Sequence, residues 1–525
     1  MIKRYRAKAC IVMLLGLVIA LIASGCSSGG SNGGPAGNTS GGSGADSGAS
    51  SGNSGTQEQA DSGPLPVQMI AGLYNEAPDM NNEFWAELQK RLNVKLDINW
   101  IPSGDFDTKL DLILSSGNLP EIVAYPNQTL SPSMISAIKN GAFWDLTPLL
   151  GDLSAYPNLK NNLPPNALKY LSMNGKIYGL PRTRSRIDEG LNIRKDWLDK
   201  LHIPVPTTLD EYRDALKKIV AADPSGQGTF GIIGNGTIVS DGDGTFEAAF
   251  GAYKPTYNDD GGLIWHQLTP QYTDMVNYFR GLYADGSMAK EFSTMKVAQA
   301  QQIESAGRSA TYVRSIKWLY GFETTAKKAQ PDAQIMVLPP LKGPGGYNVE
   351  LSTAVNGGFF ISKKVPEDKV KRILKYLDAS ASKEMTDFAY NGQEGVHYNM
   401  VNGNKVPTDL AKQINTTSLG ASVLALTEWG KVDDPAAPKE YNDEKHKEAA
   451  DYEKVGVINP FLVLHSDTWS DIWPKYSDEW ESMVTQAIAG KISMDDYKAY
   501  VAKLNDMSDF KKAYKEFADA YTYIK

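Results

Sequence analysis

The chain has 525 residues, with 53 Lys and Arg against 61 Asp and Glu and a formal net charge of −8. That balance disfavours nucleic acid and anionic surfaces as partners. Only Cys10 and Cys26 are present, so the sequence beyond residue 26 has no disulfide framework, no Cys-ligated zinc and no thiol nucleophile.

The N-terminus reads as an export signal. Lys3, Arg4, Arg6 and Lys8 precede an apolar run of 15 residues over 9–23, and Ala23-Ser24-Gly25 supplies a small-residue cleavage approach. Such a run falls short of the roughly 20 apolar residues that span a bilayer as a helix. Ala-Ser-Gly-Cys26 resembles the lipobox of bacterial lipoproteins, with Ala23 where Leu is more usual. The resemblance implies that the Cys26 thiol is diacylated (palmitate-type) and becomes the mature N-terminus. Two acyl chains anchor stably where one is marginal. Residues 27–64 are mostly Gly, Ser and Asn, with no large apolar side chain before Leu65. Such a stretch cannot bury enough surface to offset its chain entropy, and its 38 residues reach roughly 30–35 Å as a coil. Loss of 1–25 removes four cations and no anions, which moves the net charge from −8 to −12.

The remaining body is too large for one simple core, and two or three lobes are expected. VQMIAGLY (67–74), VKLDINWI (94–101) and EIVAYP (121–126) read as strands. Between them NNEFWAELQKRL (81–92) sets Phe84, Trp85, Leu88 and Leu92 at helical spacing behind an Asn cap, and DFDTKLDLILSSG (105–117) is a helix ended by Gly. Strand–helix alternation of this length predicts a parallel sheet with helices on its faces. Thr208 to Glu211 and Ser493 to Asp496 have capping-box spacing, each followed by one apolar stripe. NDDGG (258–262) is a tight turn and VNGNKV (401–406) a hairpin turn on Asn-Gly. The region after about 415 is mainly helical.

MNGKIYGLPRTRSRIDEGLNIRKDWLDKLHIPVPTTLDEYRDALKKI (173–219) carries a hairpin ending Tyr-Gly-Leu-Pro, a strand leading into Arg-Lys-Asp-Trp-Leu and a Val-Pro-Thr-Thr capped helix. With YFRGLYADGSMAKEF (278–292), NGGFFISKK (356–364), EGVHY (394–398) and AGKISMDDYKAYVAKLN (489–505), this ordered set resembles the extracellular solute-binding lipoproteins of ABC importers, of the large Gram-positive type associated with oligosaccharide uptake. The resemblance covers essentially all of 65–525. It implies an α/β, two-lobed periplasmic-binding-protein-like fold (type II), with mixed sheets flanked by helices and a helical C-terminal region. On that pattern residues 1–25 are a signal peptide and 26–64 the lipidated Cys and linker. An N-terminal lobe spans 65–183 with 349–415 returning to it, and a C-terminal lobe spans 184–348 with 416–525. The implied partners are an oligosaccharide held between the lobes and the membrane subunits of an ABC permease. The implied setting is the extracellular face of a Gram-positive cell membrane, reached through the lipid alone, with a monomer expected. Neither cofactor nor catalysis is called for.

Sugars present hydroxyls and flat C–H faces, so a sugar cleft combines aromatic platforms with paired polar side chains. Residues just past the C-terminal ends of strands, or on the crossing segments, are the candidates. Tyr74 and Asn75 follow the first strand and Tyr125 the third, where a tyrosine reads equally as a half-buried strand end. Arg182 and Arg184 follow Tyr-Gly-Leu-Pro, in a charge-mixed run that also reads as a hinge ion-pair network. Tyr312, Arg314 and Trp318 follow a small-residue segment that the family uses to present cleft residues. Asn356 lies on the expected return crossing, with turn chemistry as its plainer role, and Glu394 and Tyr398 lie in the Glu-Gly-Val-His-Tyr hairpin. Trp429, with Trp265, Trp469 and Trp473, is loop-flanked and a candidate platform.

Some relatives in this family carry a calcium loop after the capped helix, where oxygen ligands alternate. Here the segment is DPSGQGTFG (223–231), with Ser225 and Gln227 in place of stronger donors, so metal binding is expected to be lost or very weak and no metal site is assigned. DGDG (241–244) is a surface loop, and the five histidines form no metal-spaced pair. No P-loop is present, and no Gly-x-Ser-x-Gly or Gly-x-Gly-x-x-Gly run stands in the strand-to-helix setting that a nucleophile elbow or a Rossmann fingerprint requires. Glycosidase carboxylates can lie far apart in sequence, so a surface-anchored glycosidase or lyase stays open as an alternative, as does a transporter-independent sugar sensor.

Overall fold

The computed structural model describes residues 63–73, 77–127, 129–187, 189–233, 243–401, 403–414, 421–425, 434 and 436–524. The export signal, Cys26 and the linker up to residue 62 therefore lie outside the described residues, as do Tyr74, Asn75 and Trp429.

Fourteen strands are described: β1 (Leu65–Leu73), β2 (Val94–Pro102), β3 (Ile122–Tyr125), β4 (Ser172–Met173), β5 (Lys176–Ile177), β6 (Gly179–Thr183), β7 (Glu189–Arg194), β8 (Thr311–Ser315), β9 (Ile335–Val337), β10 (Glu350–Leu351), β11 (Val355–Ile361), β12 (Tyr398–Val401), β13 (Asn404–Pro407) and β14 (Val457–Ile458). The expected α/β unit opens the body. β1 pairs in parallel with β2 from Leu65↔Val94 to Leu73↔Pro102, and with β3 from Met69↔Ile122. The helix Glu83–Leu92 connects β1 to β2. Asn82 caps it by accepting from Trp85 N (3.1 Å), and Asn93 ends it at φ 50°. The sheet is completed by β11 and β6, both far along the chain, in the order β2-β1-β3-β11-β6 with β11 antiparallel to both neighbours. One face packs Val67, Met69 and Ala71 against Phe84, Trp85 and the helix Glu367–Ser380. The other packs Ile70, Val123 and Phe360 against the helices Phe106–Ser116 and Pro132–Lys139. Residues 423–425 also enter the first of these cores, through Tyr376 Oη to the Val423 carbonyl (2.6 Å), later in the chain than the expected limit of 415.

A second sheet has the order β8-β7-β9, all antiparallel. Leu191 and Ile193 of β7 share a core with the helices Leu209–Ala222 and Pro270–Ala284 and with the C-terminal helices Ser477–Ile488, Met494–Asp506 and Ser508–Ile524. The two caps read from sequence differ in detail. Ser493 and Asp496 form the full reciprocal box. Thr208 accepts from Glu211 N (3.2 Å), but the Glu211 carboxylate takes Thr207 N and Oγ1, both at 2.8 Å, one residue earlier.

The two sheets, and with them two lobes, are joined side by side. Residues 184–187 lead out of β6 toward β7, and residues 352–354 lead back from β10 to β11. The segments hydrogen-bond to each other, Arg184 N to the Ala354 carbonyl (2.8 Å) and Ser352 N to the Arg186 carbonyl (2.9 Å). β14 runs parallel to β10 alongside them. Ala354 holds φ 61°, a left-handed conformation costly for a residue with a Cβ. Among the described residues no helix is long and apolar enough to cross a membrane.

Candidate functional site

The register of the first sheet brings the ends of β1, β3 and β6 and the start of β11 to one edge, where the chain crosses between lobes. Open α/β sheets bind ligands at such an edge. β11 is bulged here, its pairing with β6 shifting between Val355 and Gly358. Gly357 has φ 77°, and a Cβ at this position would lie 2.0 Å from the Tyr125 carbonyl oxygen, so only glycine fits. The bulge turns Asn356 toward the neighbouring strand. With its amide oxygen facing the donors, Asn356 Oδ1 accepts from Arg182 Nη2 (2.8 Å), Arg184 Nη2 (2.8 Å) and Arg184 Nε (3.0 Å). Arg182, only 8% exposed, also donates from Nε to the Asn356 carbonyl and from Nη2 to the Pro126 carbonyl, both at 3.0 Å. Arg182, Arg184 and Asn356 thus form one hydrogen-bonded cluster.

The second lobe meets the crossing through β7 and β8. Glu189, the first residue of β7, pairs with Ser315, the last of β8, so the C-terminal end of β8 lies beside the connection. A single 3-10 turn, Ile316–Trp318, follows it. Trp318 is 59% exposed, with Lys317 Nζ 5.5 Å from its ring centre. The backbones of Tyr312 and Arg314 lie opposite Asn192 and Gly190, and their side chains are outside the description.

Other candidates lie elsewhere. Tyr125 is 1% exposed, edge-on to Phe106 and Phe360, and its hydroxyl donates to Asp107 Oδ1 (2.9 Å) and accepts from Ser131 N (3.0 Å). It is a core tyrosine with no open face, because β3 is covered on both sides. Tyr398 is buried beneath Lys405, whose Nζ lies 5.0 Å from its ring, and Glu394 is exposed, on the β12–β13 side of the first lobe. Trp265, Trp469 and Trp473 form a continuous stack, with ring centres 4.7 and 4.6 Å apart and Trp469 sandwiched between the other two. Their rings serve the C-terminal helical core.

Sequence reasoning missed a buried polar cluster beside the crossing. Glu247 (3% exposed) contacts His266 Nδ1 (His266 is 6% exposed), and the Tyr253 ring packs edge-on to His266 at 5.7 Å. Glu350 of β10 lies against Gly244, where a Cβ would come within 1.6 Å of Glu350 Oε2. Burial, then the nearby Glu247 charge, push the Glu350 carboxyl up to about 7. These residues lie up to about 100 positions apart, so no local pattern announces them.

Asp223 Oδ1 accepts from Ser225 Oγ (2.9 Å) and Thr229 Oγ1 (2.7 Å), and Oδ2 accepts from Gly228 N (3.2 Å). These bonds, that from Thr229 foremost, hold the Asp223 carboxyl below its usual range. Among the described residues no group of three His, Cys, Asp or Glu is placed to hold a metal.

Residues 75–386 match the family described as bacterial extracellular solute-binding protein. The polygalacturonan/rhamnogalacturonan-binding protein YtcQ of Bacillus subtilis (strain 168) is 28% identical over 487 residues, which cover 89% of this chain and 94% of that protein. Lipoprotein LipO of the same organism is 28% identical over 462 residues, covering 84% and 89%. An HMO-binding, ABC-transporter-associated solute-binding protein from Bifidobacterium longum infantis has the same fold, with a TM-score of 0.63 at 18% identity over 88% of this chain and 99% of that one. The expected two-lobed fold therefore stands, and YtcQ and the Bifidobacterium neighbour are binding proteins. The match spans more than half of the sequence, and the chain belongs to the bacterial extracellular solute-binding protein family.

Proposed function

We propose that this chain captures an oligosaccharide between its two lobes and hands it, chemically unchanged, to the permease of an ABC importer. The observation that carries the reading is the hydrogen-bonded cluster of Arg182, Arg184 and Asn356 at the sheet edge where the chain crosses between lobes. The end of β8 lies beside the same connection, and three residues on stands the exposed indole of Trp318. Sugar hydroxyls need the first and sugar C–H faces the second. Two lobes joined by paired strands suit hinge closure, in which a ligand touching both lobes favours the closed form. The kinship with YtcQ and with the HMO-binding protein supports a glycan as cargo. The kinship with LipO supports anchoring through a diacylated Cys26, with residues 27–64 as the tether, at the extracellular face of the membrane. The captured form is a monomer, and the permease is its partner.

The test is a thermal-shift panel on the body from residue 60 onward with oligogalacturonides, alginate oligosaccharides, kestose and lacto-N-tetraose. A ligand at 100 times its Kd stabilises by about 2.7 kcal/mol. The expected result is stabilisation by at least one glycan that is recovered intact. No stabilisation across the panel, or recovery of cleaved sugar, contradicts the proposal.

A further inference from the structure

We infer that Asn356 is a positioning residue: its side-chain oxygen, braced by the buried Arg182, orients Arg184 toward the sugar, and its amide nitrogen is not itself the ligand's partner. The inference deepens the carbohydrate reading above and rests on it.

Three local features converge on this one amide. β11 breaks register with β6 at Asn356, Ala354 two residues before it holds φ 61°, and Gly357 after it occupies a position no side chain can enter. The positive φ of Ala354 is locally unfavourable, and a bulge with a strained neighbour persists where it re-aims a side chain for use. What it aims is an oxygen that collects three guanidinium N–H groups from two arginines, while the Asn356 backbone carbonyl takes a fourth. Like charges repel, so two guanidinium groups stay side by side only where shared acceptors hold them. The geometry also ties the outgoing crossing to the returning one, since Arg184 N bonds the Ala354 carbonyl at 2.8 Å, two residues before the amide. Arg184 is therefore fixed in both backbone and side chain by the strand that carries Asn356.

Oxygen and nitrogen of the amide can be separated by mutation. Asn356→Asp keeps an acceptor at the same place, whereas Asn356→Ala removes it. The probe is trigalacturonate, or lacto-N-tetraose where the wild-type protein prefers the neutral sugar, measured by isothermal titration with melting curves alongside. Asn356→Ala is expected to weaken binding about tenfold, the scale of one charge-assisted hydrogen bond. Asn356→Asp should bind lacto-N-tetraose within about threefold of wild type, well under one such bond. In an Arg184→Ala background, Asn356→Ala should change affinity less than about twofold, because residues acting as a unit are non-additive. Asp as damaging as Ala toward the neutral sugar, or losses that add across the double mutant, overturns the inference while leaving carbohydrate capture intact. Wild-type protein that binds neither probe nor any other glycan of the panel overturns both.

Discussion

Glu350→Gln offers the sharpest test of how the crossing strand is seated. The Glu350 carboxyl is buried against the first turn of the helix Asp243–Phe250, beside Glu247 and within hydrogen-bonding reach of Tyr253, and its pKa is raised from 4.5 to about 7. The folded chain therefore holds this proton more tightly than the unfolded chain does. Between pH 4.5 and 7 the folded state carries the extra proton, so stability falls as pH rises across that window and stays lowered above it. At about 1.4 kcal/mol per unit, the raised pKa corresponds to a loss of about 3 kcal/mol. For a body of this size about 1 kcal/mol moves the melting temperature by roughly 1 °C. The amide of the variant has no proton to lose. Melting curves of wild type and Glu350→Gln from pH 4 to pH 8 should nearly coincide at the acid end and separate by about 3 °C at the alkaline end, with the variant the more stable. Curves that run parallel across the range, or a variant less stable at every pH, would refute the assignment of a buried, proton-holding Glu350.

Trp469 lies in the stack between Trp265 and Trp473 at 7% exposure, so Trp469→Ala should cost about 3–5 kcal/mol in chemical denaturation. Trp318 is the opposite case: Trp318→Ala at a site 59% exposed should change stability by no more than about 0.5 kcal/mol while calorimetry shows oligosaccharide affinity falling about tenfold. The loop at 223–231 carries a single carboxylate, Asp223, so millimolar calcium or a chelator should move the melting temperature by less than about 1 °C. A calcium-dependent rise of several degrees would show that the loop holds a cation.

Much of the scaffold can be read locally. β1, the helix Glu83–Leu92 and β2 declare themselves through alternation, 3.6-residue spacing and the Asn82 cap, because each signal lies within a few residues of what it determines. Arg182 and Arg184 are legible as candidates because they follow a strand that ends where the chain must cross. What stays hidden depends on distant pairing. β11 enters the first sheet between β3 and β6, and only that insertion brings Asn356 to Arg182, 174 positions earlier, and to its neighbour Arg184. Tyr125 looks like a strand-end platform until β11 and the helix Phe106–Ser116 close over it. Trp265 and Trp469 likewise resemble loop aromatics until the C-terminal helices bring them face to face, 4.7 Å apart. Glu247, His266 and Glu350 come from three separate elements, and no periodicity links them.

The most direct measurement is a crystal structure of the body with the best-binding oligosaccharide of the panel. An intact saccharide between the lobes, hydrogen-bonded to Arg184 and resting on the Trp318 indole, is the predicted result. A saccharide seated away from both residues, or electron density for a cleaved product, would contradict the account.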